Sequence, residues 1–176
     1  MATPIIYPLA FGTYQDALDM VGAKSQPRTA GTVVSAARIQ MFAATVRDGN
    51  ASYWDPTFAA NAWGGLLAPP GLLMGWLTPP PWEPTGLPPV SAIAIRVPLP
   101  GTTFINAANE AEFLLPIVEG DRLTIVEEVV SVSPQKQTRI GIGHFVETLD
   151  TFTRQDGAVV ATNRNTLFRF TPGAPP

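Results

Sequence analysis

Cysteine is absent from the 176 residues, and histidine occurs once, at His144. Without cysteine there is no disulfide framework, thiolate nucleophile, iron–sulfur cluster or Cys-based zinc site. A single histidine likewise excludes a zinc site of the two- or three-histidine kind built by one chain, and any Ser-His-Asp chemistry would hang on His144 alone. Charge is also scarce: 14% of the residues are charged, against about 25% in ordinary soluble domains. This leaves apolar surface for a partner subunit to cover. Eleven basic residues stand against fourteen acidic ones, for a net charge of −3, and no run of Lys or Arg occurs. The basic face that phosphate neutralisation needs is therefore missing, which argues against a nucleic-acid partner. No apolar stretch reaches about 18 residues without Pro, Gly or a polar break, so no membrane span is expected. Residues Met1 to Gln15 lack the basic start of a signal peptide, so a soluble, cytoplasmic protein is expected.

Hydrophobic residues make up 45% of the chain, enough for one compact domain over 1–176 that buries roughly two-thirds of its unfolded surface. Proline is unevenly placed, with ten of the nineteen lying between Pro69 and Pro100. Thr78-Pro79-Pro80-Pro81-Trp82-Glu83-Pro84 cannot donate to a ladder and reads as polyproline II or turns, inside a long surface loop over 78–100. The end of the chain, 171–176, has the Pro/Gly composition of a linker.

Before this loop the pattern is helical. Ala36, Ile39, Phe42, Ala43 and Val46 recur at spacings of three and four, with Ser35 placed to cap. Asp48-Gly49-Asn50 stops that helix, and Asp55-Pro56 starts another, with Asp as N-cap and Pro at the first helical position. The run from Phe58 ends at Gly64-Gly65. A third helix is predicted from about Pro69-Pro70-Gly71, carrying Leu72, Leu73, Met74, Trp76 and Leu77, apolar on nearly every side and so wrapped by other structure. After the loop the period changes to two. Phe104 to Leu115, Arg122 to Ser133, Thr138 to Phe152 and Ala158 to Phe170 read as four β segments separated by turn residues, which predicts an antiparallel meander. Helices segregated from an antiparallel sheet give an α+β domain.

Several stretches taken in order carry a resemblance. Arg38 to Ala44, then Asp48-Gly49-Asn50-Ala51-Ser52-Tyr53-Trp54-Asp55-Pro56, then Gly64 to Pro70, resemble the MaoC-like (R)-specific enoyl-CoA hydratases. Glu112 to Pro116, Glu119-Gly120-Asp121 and Asp156-Gly157 resemble the same family. Pro134 to Thr138 with Gly141-Ile142-Gly143 is most similar to the MaoC-type domain of heteromeric hydratases acting on steroid side-chain acyl-CoA. The resemblance implies a hot-dog fold, a curved antiparallel sheet wrapped around a long central helix. It also implies syn hydration of a trans-2-enoyl-CoA, with no cofactor beyond the coenzyme A that the substrate carries.

The family signature is Asp-x-Asn-x-x-His, in which the Asp and His position and deprotonate water. Asp48 and Asn50 match their slots, while Tyr53 fills that of the His. A tyrosine with an ordinary pKa near 10 is protonated at neutral pH and is a poor base for water. Gly71 is similar to the family's oxyanion donor, and Leu72, Leu73 and Trp76 would line an acyl tunnel. Lys136, Arg139, Arg164 and Arg169 are the cations available to coenzyme A phosphates, and an ordinary solvated face explains them equally well. His144 reads as a sheet residue. The expectation is thus a noncatalytic or half-catalytic subunit of a heteromeric enoyl-CoA hydratase, its Asp/His pair supplied by a second hot-dog chain. The alternatives are a self-sufficient homodimer using Asp48 and a non-enzymatic acyl-CoA binding protein.

Overall fold

The computed structural model describes residues 9–79, 84 and 92–173. A short helix, α1 (Tyr14–Leu18), opens the described chain, held by a reciprocal cap between Thr13 and Asp16. After β1 (Arg28–Thr29) comes α2 (Ala36–Val46). Its Ile39 and Ala43, four residues apart on one face, are fully buried, while Met41 and Val46 face outward. Ser35 is the N-cap residue as expected, but its side chain makes no capping bond. Arg47 ends α2 in the left-handed region at φ 57°. The Asp48–Asn50 stop is followed by a helical turn that no sequence signal announced, α3 (Ala51–Trp54), and then by α4 (Pro56–Trp63). Asp55 caps α4 through Oδ1, which accepts from the N–H groups of Thr57 at 2.9 Å and Phe58 at 3.0 Å.

The predicted third helix is instead two 3₁₀ turns, Pro70–Leu72 and Met74–Leu77. Two prolines at its start and Gly71 and Gly75 within it withhold the donors and the stiffness that an α-helix needs. The proline-rich loop 78–100 lies largely outside the described residues, including 80–83 and 85–91, so its polyproline character is not among the described features. Its far end is not surface loop: Ile93–Arg96 forms a buried 3₁₀ turn. Of the tail 171–176, residues 171 and 172 extend the last strand and 174–176 lie outside the described residues.

The sheet contains β1, β2 (Thr103–Phe113), β3 (Thr124–Val132), β4 (Lys136–Thr138), β5 (Gly141–Thr153) and β6 (Val159–Pro172), all paired antiparallel, in the order β1-β3-β5-β6-β2 with β4 beside β5. The meander expectation holds for β3, β5 and β6 and fails for β2, which pairs with β6 at the far edge. The connection between β2 and β3 makes the crossing possible. It runs as irregular chain from Leu114 to Leu123, pinned by a bridge between Leu67 and Val118.

The inner face of the sheet carries two apolar clusters. One joins Ile39 and Ala43 of α2 to Ile125, Phe152, Val160 and Ala161, together with Tyr53, Ala59, Leu73, Trp76 and Leu77. The other joins Ala17 and the Ile93 turn to Val129, Val132 and Val146. A polar band separates them. Glu127, Asp150 and Asn163 are directly opposite one another on β3, β5 and β6, and Thr148, Asn165 and Asn109 follow in the next inward row on β5, β6 and β2. Asp150, Thr148 and Asn163 are almost wholly buried.

Candidate acyl-binding site

The chain reversal between α2 and α4 gathers the signature positions. Asp48 N–H donates to the Ala43 carbonyl at 2.8 Å, and Asp48 Oδ1 accepts from the Asn50 N–H at 3.0 Å. Asn50 Oδ1 in turn accepts from the Ser52 N–H at 3.0 Å, capping α3. The indole N–H of Trp54 donates to the Asp48 carbonyl at 2.7 Å. Asp48 and Asn50 stay exposed in this compact turn, while the Tyr53 side chain points into the first apolar cluster. Burial pushes the Tyr53 phenol above its ordinary pKa, and the neighbouring Asp48 carboxylate adds to the shift. The phenol therefore keeps its proton across the neutral range and can exchange hydrogen bonds but not act as a base.

Ser52 ties this turn to the wall of an apolar cavity. Its hydroxyl accepts from the Trp63 indole N–H at 2.9 Å, and its carbonyl accepts from the Leu67 N–H at 3.0 Å. Trp63 and Leu67, with Ala68, Pro70 and the run Phe113 to Ile117, enclose about 260 Å³. Ala68 is held there by its N–H bond to the Ile117 carbonyl at 2.8 Å. Trp63, Phe113, Leu114 and Leu115 are each more than 40% exposed, so the cavity opens on an uncovered apolar surface. Sequence reasoning missed these residues. The available signals were a tryptophan just before Gly64-Gly65 and the unbroken run Phe113-Leu114-Leu115-Pro116, where a half-buried strand should have alternated.

The other expected site residues are dispersed. Gly71 follows the cavity-lining Pro70 in the chain and does not itself line the cavity. The Phe42 ring lies so close that a Cβ on Gly71 would stand 3.0 Å from its Cζ, which explains why glycine is there. The Leu72 and Leu73 N–H groups close bonds to the Pro69 and Pro70 carbonyls, and the Gly71 N–H takes part in neither. Leu73 and Trp76 belong to the core, with Leu72 packed partly against it, and none of the three lines the cavity. The Arg38 guanidinium lies 4.7 Å over the Trp76 ring and donates to the Gly75 carbonyl at 2.7 Å.

His144 lies in the other half of the sheet. It is buried on β5, its Nδ1 is 2.9 Å from the Ser133 carbonyl, and its ring stacks on Tyr14. Of the four cations considered for phosphates, Arg169 is unavailable. It is 1% exposed and donates to the carbonyls of Gly101, Ala10 and Leu99. Lys136, Arg139 and Arg164 are exposed. Among the described residues there is no cluster of metal-ligating side chains and no helix long and apolar enough to cross a membrane.

The family model for the FAS1-like dehydratase domain region matches residues 19–163. The chain belongs to this family. A curated relative, a probable enoyl-CoA hydratase alpha subunit of Thermomonospora curvata, is 32% identical over 157 residues, covering 84% of this chain and 48% of its own length. The chain thus spans about half the length of that relative. Among solved structures, the ChsH1–ChsH2 complex of Mycobacterium tuberculosis matches with a TM-score of 0.74 at 22% identity, covering 92% of this chain and 93% of that one. The HadBC (3R)-hydroxyacyl-ACP dehydratase complex of the same organism matches with a TM-score of 0.60 at 19% identity, covering 85% and 97%. The domain has the hot-dog fold of these MaoC-like neighbours, and the helix packed on its sheet is the eleven-residue α2.

Proposed function

We propose that this chain is the acyl-binding, catalytically incomplete member of a heteromeric enoyl-CoA hydratase that acts on a bulky acyl-CoA. The observation that carries the reading is the state of Tyr53. It fills the slot of the general base, yet its ring is buried and its phenol is held protonated beside Asp48. A neutral phenol cannot take a proton from water at pH 7. The rest of the half-site is kept: the Asp48–Asn50 turn, the Ser52 tie, and an apolar cavity that none of the described residues closes.

In this reading the partner is a second hot-dog chain that supplies the Asp/His pair, and the compartment is the cytoplasm. Its sheet pairs with the free edge of β2, which brings its active-site turn against the exposed rim formed by Trp63, Phe113 and Leu114. The acyl group occupies the cavity, where burial of apolar surface is worth about 25 cal/mol per Å², and Gly71 lets the thioester approach the backbone closely. That the curated relative is termed an alpha subunit and that both solved neighbours are two-component complexes supports this assignment.

The test is hydration of a bulky enoyl-CoA by the purified chain alone and after mixing with a hot-dog protein that carries an intact Asp-x-x-x-x-His spacing. The chain alone is expected to show no turnover, and the mixture to show activity that neither component has. Turnover of about 10 per second by the chain alone would overturn the reading. As a companion, Tyr53→His should confer measurable activity, since general acid–base catalysis is worth about 10²–10⁴-fold.

A further inference from the structure

The polar band on the inner face of the sheet is not explained by folding. Buried polar side chains are costly unless they are paired, and this band is incompletely paired. Asn163 Nδ2 donates to Asp150 Oδ2 at 3.1 Å and reaches Asn109 Oδ1 only at 3.5 Å, the limit of a hydrogen bond. Asp150 Oδ1 and Asn165 Oδ1 are buried and have no partner among the described residues. Asp150 is 2% exposed. The band does not end inside the protein. Asn109 stands opposite Asn165 on β2 and is exposed, because none of the described residues covers the inner face of that strand.

The same exposed face leads to the cavity. Phe113, opposite Ala161, lines it. Ala111, opposite Asn163, comes next along the inner face, and Asn109 follows. These three alternate residues cover four residue steps of strand, roughly 13 Å. A rigid acyl body lodged against Phe113 and running along β2 over the small Ala111 would therefore set its far end on Asn109, Asn163 and Asn165.

We propose that Asn109, Asn163 and Asn165 form a subsite for a hydroxyl group at the distal end of the acyl moiety, remote from the thioester. The ligand hydroxyl donates to Asn165 Oδ1 and accepts from the Asn109 amide, replacing the long contact between Asn109 and Asn163. Asp150, opposite Asn163 on the neighbouring strand β5, fixes the orientation of Asn163 by accepting its amide hydrogen. The inference rests on the acyl-binding reading and deepens it, naming the substrate class as a bulky acyl-CoA with a remote hydroxyl substituent. It also accounts for three asparagines, set in two adjacent rows, on a face that an ordinary core would fill with apolar residues.

The experiment measures the affinity of the full chain for lithocholoyl-CoA and 5β-cholanoyl-CoA, which differ by one ring hydroxyl. The hydroxylated probe should bind about fivefold to tenfold more tightly, the range of one well-made hydrogen bond. Asn109→Ala, on an exposed strand, should remove that preference, bringing the affinity for lithocholoyl-CoA down to that for 5β-cholanoyl-CoA. Asn163→Leu should do the same if the variant folds, as its circular dichroism would report. Equal binding of both probes by the unaltered chain, or a preference that survives Asn109→Ala, would overturn the subsite alone. Failure of both probes to bind would remove the acyl-binding reading and this inference with it.

Discussion

Strands β5 and β2 belong to one sheet, yet they meet opposite surroundings. In β5, residues 144, 146, 148, 150 and 152 are buried in strict alternation, and both edges of the strand are paired. In β2, every residue from Ile105 to Phe113 is exposed on either face, and among the described residues only one edge is paired. A strand this long and poor in lysine is a template for pairing with another chain. The contrast separates a region complete in itself from one that, in the proposed reading, a second protein completes. Strands β3, β5 and β6 with α2 form a self-sufficient core, whereas β2, the cavity rim and α4 present large apolar side chains to solvent.

The sharpest break in the comparison comes from the core side. Phe152, fully buried between Ile125 and Ala161, should cost about 3–5 kcal/mol on replacement by alanine, read as a fall in the urea midpoint. On the other side, Phe113→Asp with Leu114→Asp should change the stability of the lone chain by less than about 0.5 kcal/mol. The same pair should weaken association with the partner chain at least tenfold, about 1.4 kcal/mol, by sedimentation velocity. If the two variants exchanged these effects, the division into a complete and an incomplete region would be wrong.

How far the two regions were legible in the sequence differs for physical reasons. The α2 and α4 helices and strands β3, β5 and β6 are periodic segments closed by strong local signals, such as Asp55-Pro56 and Gln155-Asp156-Gly157, and they lie where those signals put them. Position β2 was misjudged because a strand's own pattern says nothing about which neighbour it pairs with. The choice is made by the irregular Leu114–Leu123 connection. Residues Leu72 to Leu77 have the apolar content of a buried helix, but the two prolines before them and the glycines at 71 and 75 break the segment into 3₁₀ turns. At the site, the Asp48–Asn50 turn was readable from its Asx chemistry, and Tyr53 from its spacing. The cavity was not, since Trp63 and Phe113 are fifty residues apart and their segments are joined by the Leu67–Val118 bridge and the backbone bonds beside it. The polar band was equally hidden, because its asparagines come from different strands.

A smaller effect tests the helical part of the complete region. Asp55→Ala removes the acceptor of two N–H groups and should destabilise the chain by about 1 kcal/mol, seen as a shift of the denaturant midpoint with an unchanged slope. The smallest expected effect is the pH dependence of the polar band. Burial raises the pKa of Glu127, and the Asp150 charge raises it further, against the lowering pull of Arg28, an Ile93 backbone bond and Arg96. Burial likewise raises Asp150, against the Asn163 hydrogen bond and Arg28. Both carboxyls bind protons more tightly in the folded state. Their contribution to stability is therefore full below the unfolded values near pH 4 and is lost as pH rises through the raised folded values. Asp150→Asn should flatten the decline in unfolding free energy measured by urea titration between pH 4 and 8. Parallel curves for the two proteins would show that the band is not under electrostatic strain.

Amide hydrogen exchange on the lone chain and on the chain mixed with its hot-dog partner reads the central claim most directly, residue by residue. The account predicts slow exchange throughout β5 and in the β6 half of the β2 ladder in both samples. The outward-facing amides of β2 should exchange fast in the lone chain and become protected in the mixture, together with the Trp63 and Phe113 rim. Protection of all β2 amides to the level of β5 in a chain shown by sedimentation to be monomeric, or no gain of protection in the mixture, would contradict it.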